Sequence, residues 1–261
     1  MAYGGSYFRY PQTCHGRSAF DEFDVDSKTR RIIKGIVKST WDPDVVGIGQ
    51  DGQNLDHDGI VVTDIKRICN PKLKSRYKKY KKYLYRKRCE TGEEYDDIGN
   101  IPQKLFNFSC KNLSPDINEF YLFHGTDEDS AYTIAEEGFD PRVTNPCAMY
   151  GQGVYFAEQF TKADQYTDQK CDRDPTGTEL TVLLCKVLLG DFLECTKKYA
   201  KKWKTLPFNG DYRYDSVLGS GRKMLFREFV VYDGEQCYPE YIITYKRVGW
   251  ERYPPTDDEW M

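Results

Sequence analysis

Apolar residues recur along this chain with two periods, one helical and one extended. Ile32, Ile33, Ile36 and Val37 share one side of a helix that Ser27 is placed to cap. The next stretch, "WDPDVVGIGQDGQNLDHDG", is dense in Gly, Asp and Asn without a period and predicts a loop. From Ile60 the pattern turns extended: "IVVTDIKRI" is rich in β-branched residues and is stopped by Asn70-Pro71. Leu73, Tyr77, Tyr80 and Leu84 then follow at steps of four, three and four, the spacing of an amphipathic helix.

Further on, "NEFYLFHGT" is a short apolar run. "DEDSAYTIAEEGF" behind it predicts a helix with Asp127 near its N-cap, Ala131, Ile134 and Ala135 on one face and Gly138 as its stop. "GVYFA" predicts a strand, "FTKADQYT" a helical turn or two and "LTVLLCKVLLGDF" a buried strand. "FREFVVYDGEQCYPEYIITYK" predicts two β runs around Asp233-Gly234, a hairpin-type link. No internal repeat is present. Strands dominate this half and such links recur, so the pattern predicts an antiparallel α+β fold rather than a doubly wound parallel sheet.

The ends differ from the middle. The first twenty or so residues are rich in Gly, Ser and Tyr, and the last ten are acidic and broken by proline. The chain is thereby divided into a partly disordered N-terminal extension over 1–59, a main domain over 60–250 and an acidic tail over 251–261. With 39 % apolar residues in 261, one substantial core is expected. No apolar run approaches the roughly 18 residues of a membrane span, and "MAYGGSYFRY" lacks the basic start and apolar stretch of a secretion signal. Nine cysteines, an odd number without one C-x-x-C pair, suit reduced thiols in a cytoplasmic or nuclear protein. Neither they nor the three histidines show the local spacing of a zinc site, so no metal is expected.

A net charge of −3 gives no global reason to expect a polyanionic partner, but one segment is strongly basic. In "KLKSRYKKYKKYLYRKR", lysines and arginines fill the faces that the apolar stripe leaves free. Two readings follow: a nucleic-acid contact over Lys72–Arg88, with tyrosines to stack and cations for phosphate, or a solvated helix whose tyrosines belong to the core. The spacing already accounts for the aromatics and favours the second. "ETGEEYDD" directly behind is placed to neutralise part of the charge.

"YGQGVYFA", Tyr150 to Ala157, raises the question of a nucleotide site. A dinucleotide fingerprint needs a third glycine opening a helix, where this chain has Phe156 in a β run, and no phosphate-binding G-x-x-x-x-G-K-[ST] exists. The glycines instead allow a tight turn before a strand that presents Tyr155. Three blocks in order then carry a resemblance: "LFHGT", "YGQGVYFA" followed by "KADQY", and "REFVVYDGEQCYPEYIITYK". Together they resemble the catalytic domain of the poly(ADP-ribose) polymerase family, among the diphtheria-toxin-like ADP-ribosyltransferases, in a tankyrase-like short form. The likeness runs from about Ile60 through Arg247, including "IKRICNPKL" and "YDSVLG".

The resemblance implies an ADP-ribosyltransferase fold of two packed, mostly antiparallel sheets, a split β-sandwich flanked by helices. It also implies NAD as co-substrate and protein or nucleic-acid acceptors, the chain itself among the candidates. Breaking the bond between nicotinamide and ribose develops positive charge on the sugar, which calls for a fixed leaving group and a nearby carboxylate. By resemblance His124 bonds the adenosine-side ribose, the main chain of Gly125 grips the carboxamide, and Thr126 stands near the adenosine ribose. Tyr155 and Tyr166 stack on the nicotinamide. Glu228 accepts from the nicotinamide-side ribose and completes the His, Tyr, Glu set. Taken singly, each has a plain structural reading as a core aromatic, a satisfied histidine or a strand carboxylate. Glu235 in the turn after the strand reads as structural, and Cys147 as an ordinary loop cysteine.

Two departures matter. Ala163 stands where many members carry a serine that binds the carboxamide, and Thr161 two residues earlier points elsewhere on a helix. The missing bond is worth about 0.5–1.5 kcal/mol. After Tyr166, "TDQKCDRDPTGTEL" lacks the residues of the small zinc site of tankyrases, and the chain before Ile60 is too short for a large helical regulatory domain. Glu228 favours poly- or oligo-ADP-ribosylation, with mono-transfer as the alternative. A catalytically silent NAD or ADP-ribose binding module and an RNA-binding protein are the rival classes.

Overall fold

The computed structural model describes residues 20–92, 94–168, 177–196, 208–209, 212–221 and 224–249. The predicted disordered start and the acidic tail fall outside these residues, as does most of "TDQKCDRDPTGTEL". In chain order the strands are β1 (Asp21–Asp24), β2 (Gly59–Cys69), β3 (Glu119–Gly125), β4 (Val154–Phe156), β5 (Glu179–Leu188), β6 (Phe192–Cys195), β7 (Phe208–Asn209), β8 (Tyr212–Arg213), β9 (Ser216–Gly219), β10 (Glu228–Val231) and β11 (Cys237–Val248). The helices are α1 (Ser27–Thr40), α2 (Pro71–Thr91), α3 (Gln103–Asn112), α4 (Glu128–Glu137) and α5 (Phe160–Asp164).

A five-stranded sheet runs β1-β2-β11-β5-β3 and a four-stranded sheet β4-β10-β9-β6, with β7-β8 as a small ribbon. Every pairing is antiparallel except β6 with β9. The α+β, mostly antiparallel expectation therefore holds, and its reason is visible in β3 and β5. Phe120, Leu122, Leu183, Cys185 and Val187 face the second sheet and α4, while Tyr121, Phe123, Val182 and Leu184 face α1, α3 and α5. A strand covered on both faces reads as a continuous apolar run because both alternating sets are buried.

Several expectations change in detail. The cap of α1 is Asp26, not Ser27: its carboxylate accepts from the main-chain N–H of Lys28 and Thr29, both at 2.9 Å, as an N-cap acid does. The Asp233-Gly234 link is not a hairpin. It is a short 3-10 turn, Gly234–Gln236, that takes the chain from β10 in one sheet to β11 in the other. A Cβ on Gly234 would stand 1.9 Å from the Phe139 carbonyl oxygen, so the crossing is packed main chain to main chain. Ahead of Ile60, β1 pairs with β2, and Ile33, Ile36 and Val37 of α1 pack with Leu105, Tyr121 and Ile65.

The predicted stripe of α2 is buried at Leu73, Tyr77 and Leu84, with Asn70 as N-cap and Tyr80 packed beside them. Its charge is offset mainly from a distance: Lys81 pairs with Glu119, Lys87 with Asp215 and Arg88 with Asp116 at 2.6–3.0 Å, and Glu94 of "ETGEEYDD" adds a longer pair to Arg88 at 4.0 Å. Among the described residues no helix is long and apolar enough to cross a membrane.

Candidate active site

The two sheets meet at one point. Phe123 in β3 and Ala157 just after β4 exchange both main-chain hydrogen bonds, at 2.8 and 2.9 Å. The bridge sets the residue after Phe123 beside the residue two before Ala157, so His124 Nδ1 lies 2.8 Å from the Tyr155 carbonyl oxygen. A carbonyl only accepts, so the proton resides on Nδ1 and the neutral ring keeps Nε2 as an acceptor. Burial pushes the His124 pKa below its ordinary 6.5, and the neutral form prevails at pH 7.

The "YGQG" turn is built around Tyr155. Its hydroxyl accepts from the Tyr150 N–H at 2.8 Å and donates to the Gly151 carbonyl at 2.9 Å, with Gly151 at φ +86°. Gly153 lies under β10, where a Cβ would stand 2.5 Å from Val230 Cγ1. The glycines thus close a turn and pack a strand, and no helix follows them as a dinucleotide fingerprint requires.

On the second sheet Glu228 opens β10, two residues before Val230, the register partner of Tyr155 in β4. The preceding residue anchors it: Arg227 makes a two-bond pair with Glu158 at 2.6 and 2.7 Å and donates to the carbonyls of Ile98 and Gly99. On the other side α5 carries Lys162, Ala163 and, just past its end, Tyr166. A Cβ on Gly125 would fall 1.8 Å from the Ala163 carbonyl oxygen, so only glycine permits this approach of β3 to α5.

These elements line a cavity of about 70 Å³ bounded by His124, Gly125, Tyr155, Ala163, Tyr166 and Glu228, together with Lys162 and three apolar neighbours. Five of the six expected site residues are brought together. Thr126 is not among the lining residues; it precedes Asp127, which caps α4 through the Ser130 N–H. Thr161 accepts from the Asp42 N–H at 2.7 Å and does not stand in for the missing serine. Glu235 and the exposed Cys147 lie outside the cavity.

Sequence reasoning missed Lys162, although "KADQY" contains it. Its ammonium lies 3.0 Å from Glu228 Oε1, 2.7 Å from the Tyr166 hydroxyl and 2.8 Å from Asp51 Oδ2. Burial works against this charge, but Tyr166, Glu228 and Asp51 outweigh it and raise the Lys162 pKa above its usual value. The lysine therefore remains an ammonium beside the carboxylate.

A family model, "Poly(ADP-ribose) polymerase catalytic domain", matches residues 48–224. This chain belongs to that family. The match begins ahead of Ile60, in the loop that carries Asp51, and ends four residues short of Glu228, whose membership in the site rests on the geometry above. The poly(ADP-ribose) polymerase domain here is similar to the protein mono-ADP-ribosyltransferase PARP11 of Mus musculus, 30 % identical over 166 residues, 54 % of this chain and 49 % of that protein. It is also similar to PARP12 of Mus musculus, 31 % identical over 143 residues, 52 % of this chain and 18 % of that protein. A probable poly(ADP-ribose) polymerase of Dictyostelium discoideum is 31 % identical over 147 residues, 56 % of this chain and 39 % of that protein. The chain spans half or less of the length of these curated relatives. Among the described residues no group of three His, Cys, Asp or Glu side chains could hold a metal ion.

Proposed function

We propose that the cavity between the sheets transfers ADP-ribose from NAD to a protein acceptor and releases nicotinamide. One observation carries the reading: His124, Gly125, Tyr155, Tyr166 and Glu228, distant in sequence, line one pocket of a chain in this family. His124 accepts a ribose hydroxyl at Nε2, and the main chain of Gly125 bonds the carboxamide. Tyr155 and Tyr166 give the pyridinium an aromatic lining. Glu228, beside the Lys162 ammonium, accepts from the ribose hydroxyl next to the leaving group and favours positive charge developing on the sugar. The bond to nicotinamide breaks, a bond from the acceptor to the sugar forms, and the acceptor loses a proton.

Mono-transfer is the product favoured by the names of the PARP11 and PARP12 relatives. Elongation to oligomers or polymers is the second reading, supported by Glu228 held in the pocket. Nucleic-acid contact through α2 is the reading of a solvated strip on which Lys72, Arg76, Lys79, Tyr83 and Arg86 are exposed. Seven cysteines among the described residues are free thiols, in keeping with a reducing intracellular setting.

The test is incubation of the protein with labelled NAD beside Glu228→Gln, reading released nicotinamide and labelled protein on a gel. A single labelled band supports mono-transfer, and a ladder lost in the variant supports elongation through Glu228. Binding of NAD with neither nicotinamide release nor label would overturn the enzymatic reading in favour of a binding module.

A further inference from the structure

Asp51 belongs to none of the three sequence blocks, yet it reaches the cavity wall. Its Oδ2 accepts from Lys162 Nζ and from the Tyr166 hydroxyl, both at 2.8 Å. The same ammonium lies 3.0 Å from Glu228 and 4.7 Å from the centre of the Tyr166 ring. One buried cation thus joins two carboxylates, one in the pocket and one from a loop ahead of the first long strand.

That loop is fastened to α5 on both sides of the contact. The Asp42 N–H donates to Thr161 Oγ1 at 2.7 Å, and His57 Nε2 lies 3.2 Å from Asp164 Oδ2 in the interior. Gly52, the neighbour of Asp51, is packed so closely that a Cβ would stand 2.8 Å from the Ile48 carbonyl oxygen and 2.9 Å from Gln165 Nε2. Residues 42, 51 and 57 therefore grip residues 161, 162 and 164 in the same order. The loop fixes where α5 presents its side chains, and through Asp51 it reaches Lys162, a group that touches Glu228.

We propose that Asp51 is a positioning residue for ADP-ribosyl transfer: it holds Lys162 where the ammonium keeps Glu228 in place. The inference rests on the function proposed above. It locates the control of the carboxylate in a segment that precedes the sequence blocks, and it assigns the loop a part in the chemical step rather than in NAD affinity.

The test compares Asp51→Asn and Asp51→Glu with the wild type in steady-state nicotinamide release from NAD, with melting temperature recorded for each. Asp51→Asn is expected to lower kcat about tenfold while KM for NAD stays within about twofold, and Asp51→Glu to recover most of the loss. An unchanged kcat in Asp51→Asn, an effect confined to KM, or equal losses in both variants matched by a fall in melting temperature would each overturn the proposal. A wild type that releases no nicotinamide overturns the enzymatic reading and this role with it. An active wild type beside an indifferent Asp51→Asn overturns the role of Asp51 alone.

Discussion

His124 donates from Nδ1 to the carbonyl of Tyr155 across 2.8 Å, and this bond joins the first sequence block to the second. It also decides which ring nitrogen is left to accept, and with that the pH at which the site works. Protonation at Nε2 would turn that acceptor into a donor. Because burial lowers the His124 pKa from 6.5, this happens only as pH falls through a value under 6.5. The kcat/KM for NAD is therefore expected to be flat near neutrality and to decline on the acid side with a midpoint below 6.5. A pH–rate profile checks it, and an acid midpoint at or above 6.5 would contradict the buried neutral histidine.

Ala163 lines the cavity against the main chain of Gly125. Ala163→Ser places a hydroxyl there and is expected to strengthen inhibition by nicotinamide by up to about tenfold, the equivalent of one net hydrogen bond of about 0.5–1.5 kcal/mol. Product-inhibition constants for the two proteins measure it. An unchanged constant would mean that the carboxamide is held without this position.

The Tyr155 hydroxyl serves the turn and its ring serves the cavity, so the two can be separated. Tyr155→Phe keeps the ring but leaves the Tyr150 N–H and the Gly151 carbonyl without this partner. A loss of about 1–3 kcal/mol in stability is expected from unfolding in urea. Wild-type stability in the variant would mean that the glycine turn closes by itself.

Arg227 and Glu158 fasten the residue ahead of Glu228, and their side chains are 20 % and 6 % exposed. Arg227→Met leaves a buried carboxylate unpaired, and a loss of about 3–5 kcal/mol is expected in denaturant unfolding. Adding Glu158→Gln should return part of that loss, because the orphaned charge is then gone. A double variant worse than the single one would show that the pair is not the origin of the effect.

Most of the fold and much of the site could be read in the sequence where one residue's neighbours along the chain are also its neighbours in space. The α2 stripe, the β2 run, the Asp127 cap and the Gly138 stop depend only on local spacing and backbone freedom. The order of the blocks pointed to His124, Tyr155, Tyr166 and Glu228, which the fold brings to one cavity. Lys162 stood inside a quoted block yet gave no sign of its role, since a lysine on a short helix is ordinarily solvated and only the folded chain buries it. Asp51 and Arg227 gave none either, because their meaning lies in partners 111 and 69 positions away. The Asp233-Gly234 turn misled for a related reason: a tight turn fixes local direction, while the sheet that each arm joins is chosen by packing on Phe139 and its neighbours.

The sequence of α2 has a consequence for the molecule as a whole. It carries ten Lys and Arg against a single Glu, in a chain whose net charge is −3, which leaves −12 for everything else. The helix is a strongly cationic rod about 30 Å long in a chain that is otherwise acidic. At physiological ionic strength its field decays over about 8 Å, so a polyanion senses it only at close range.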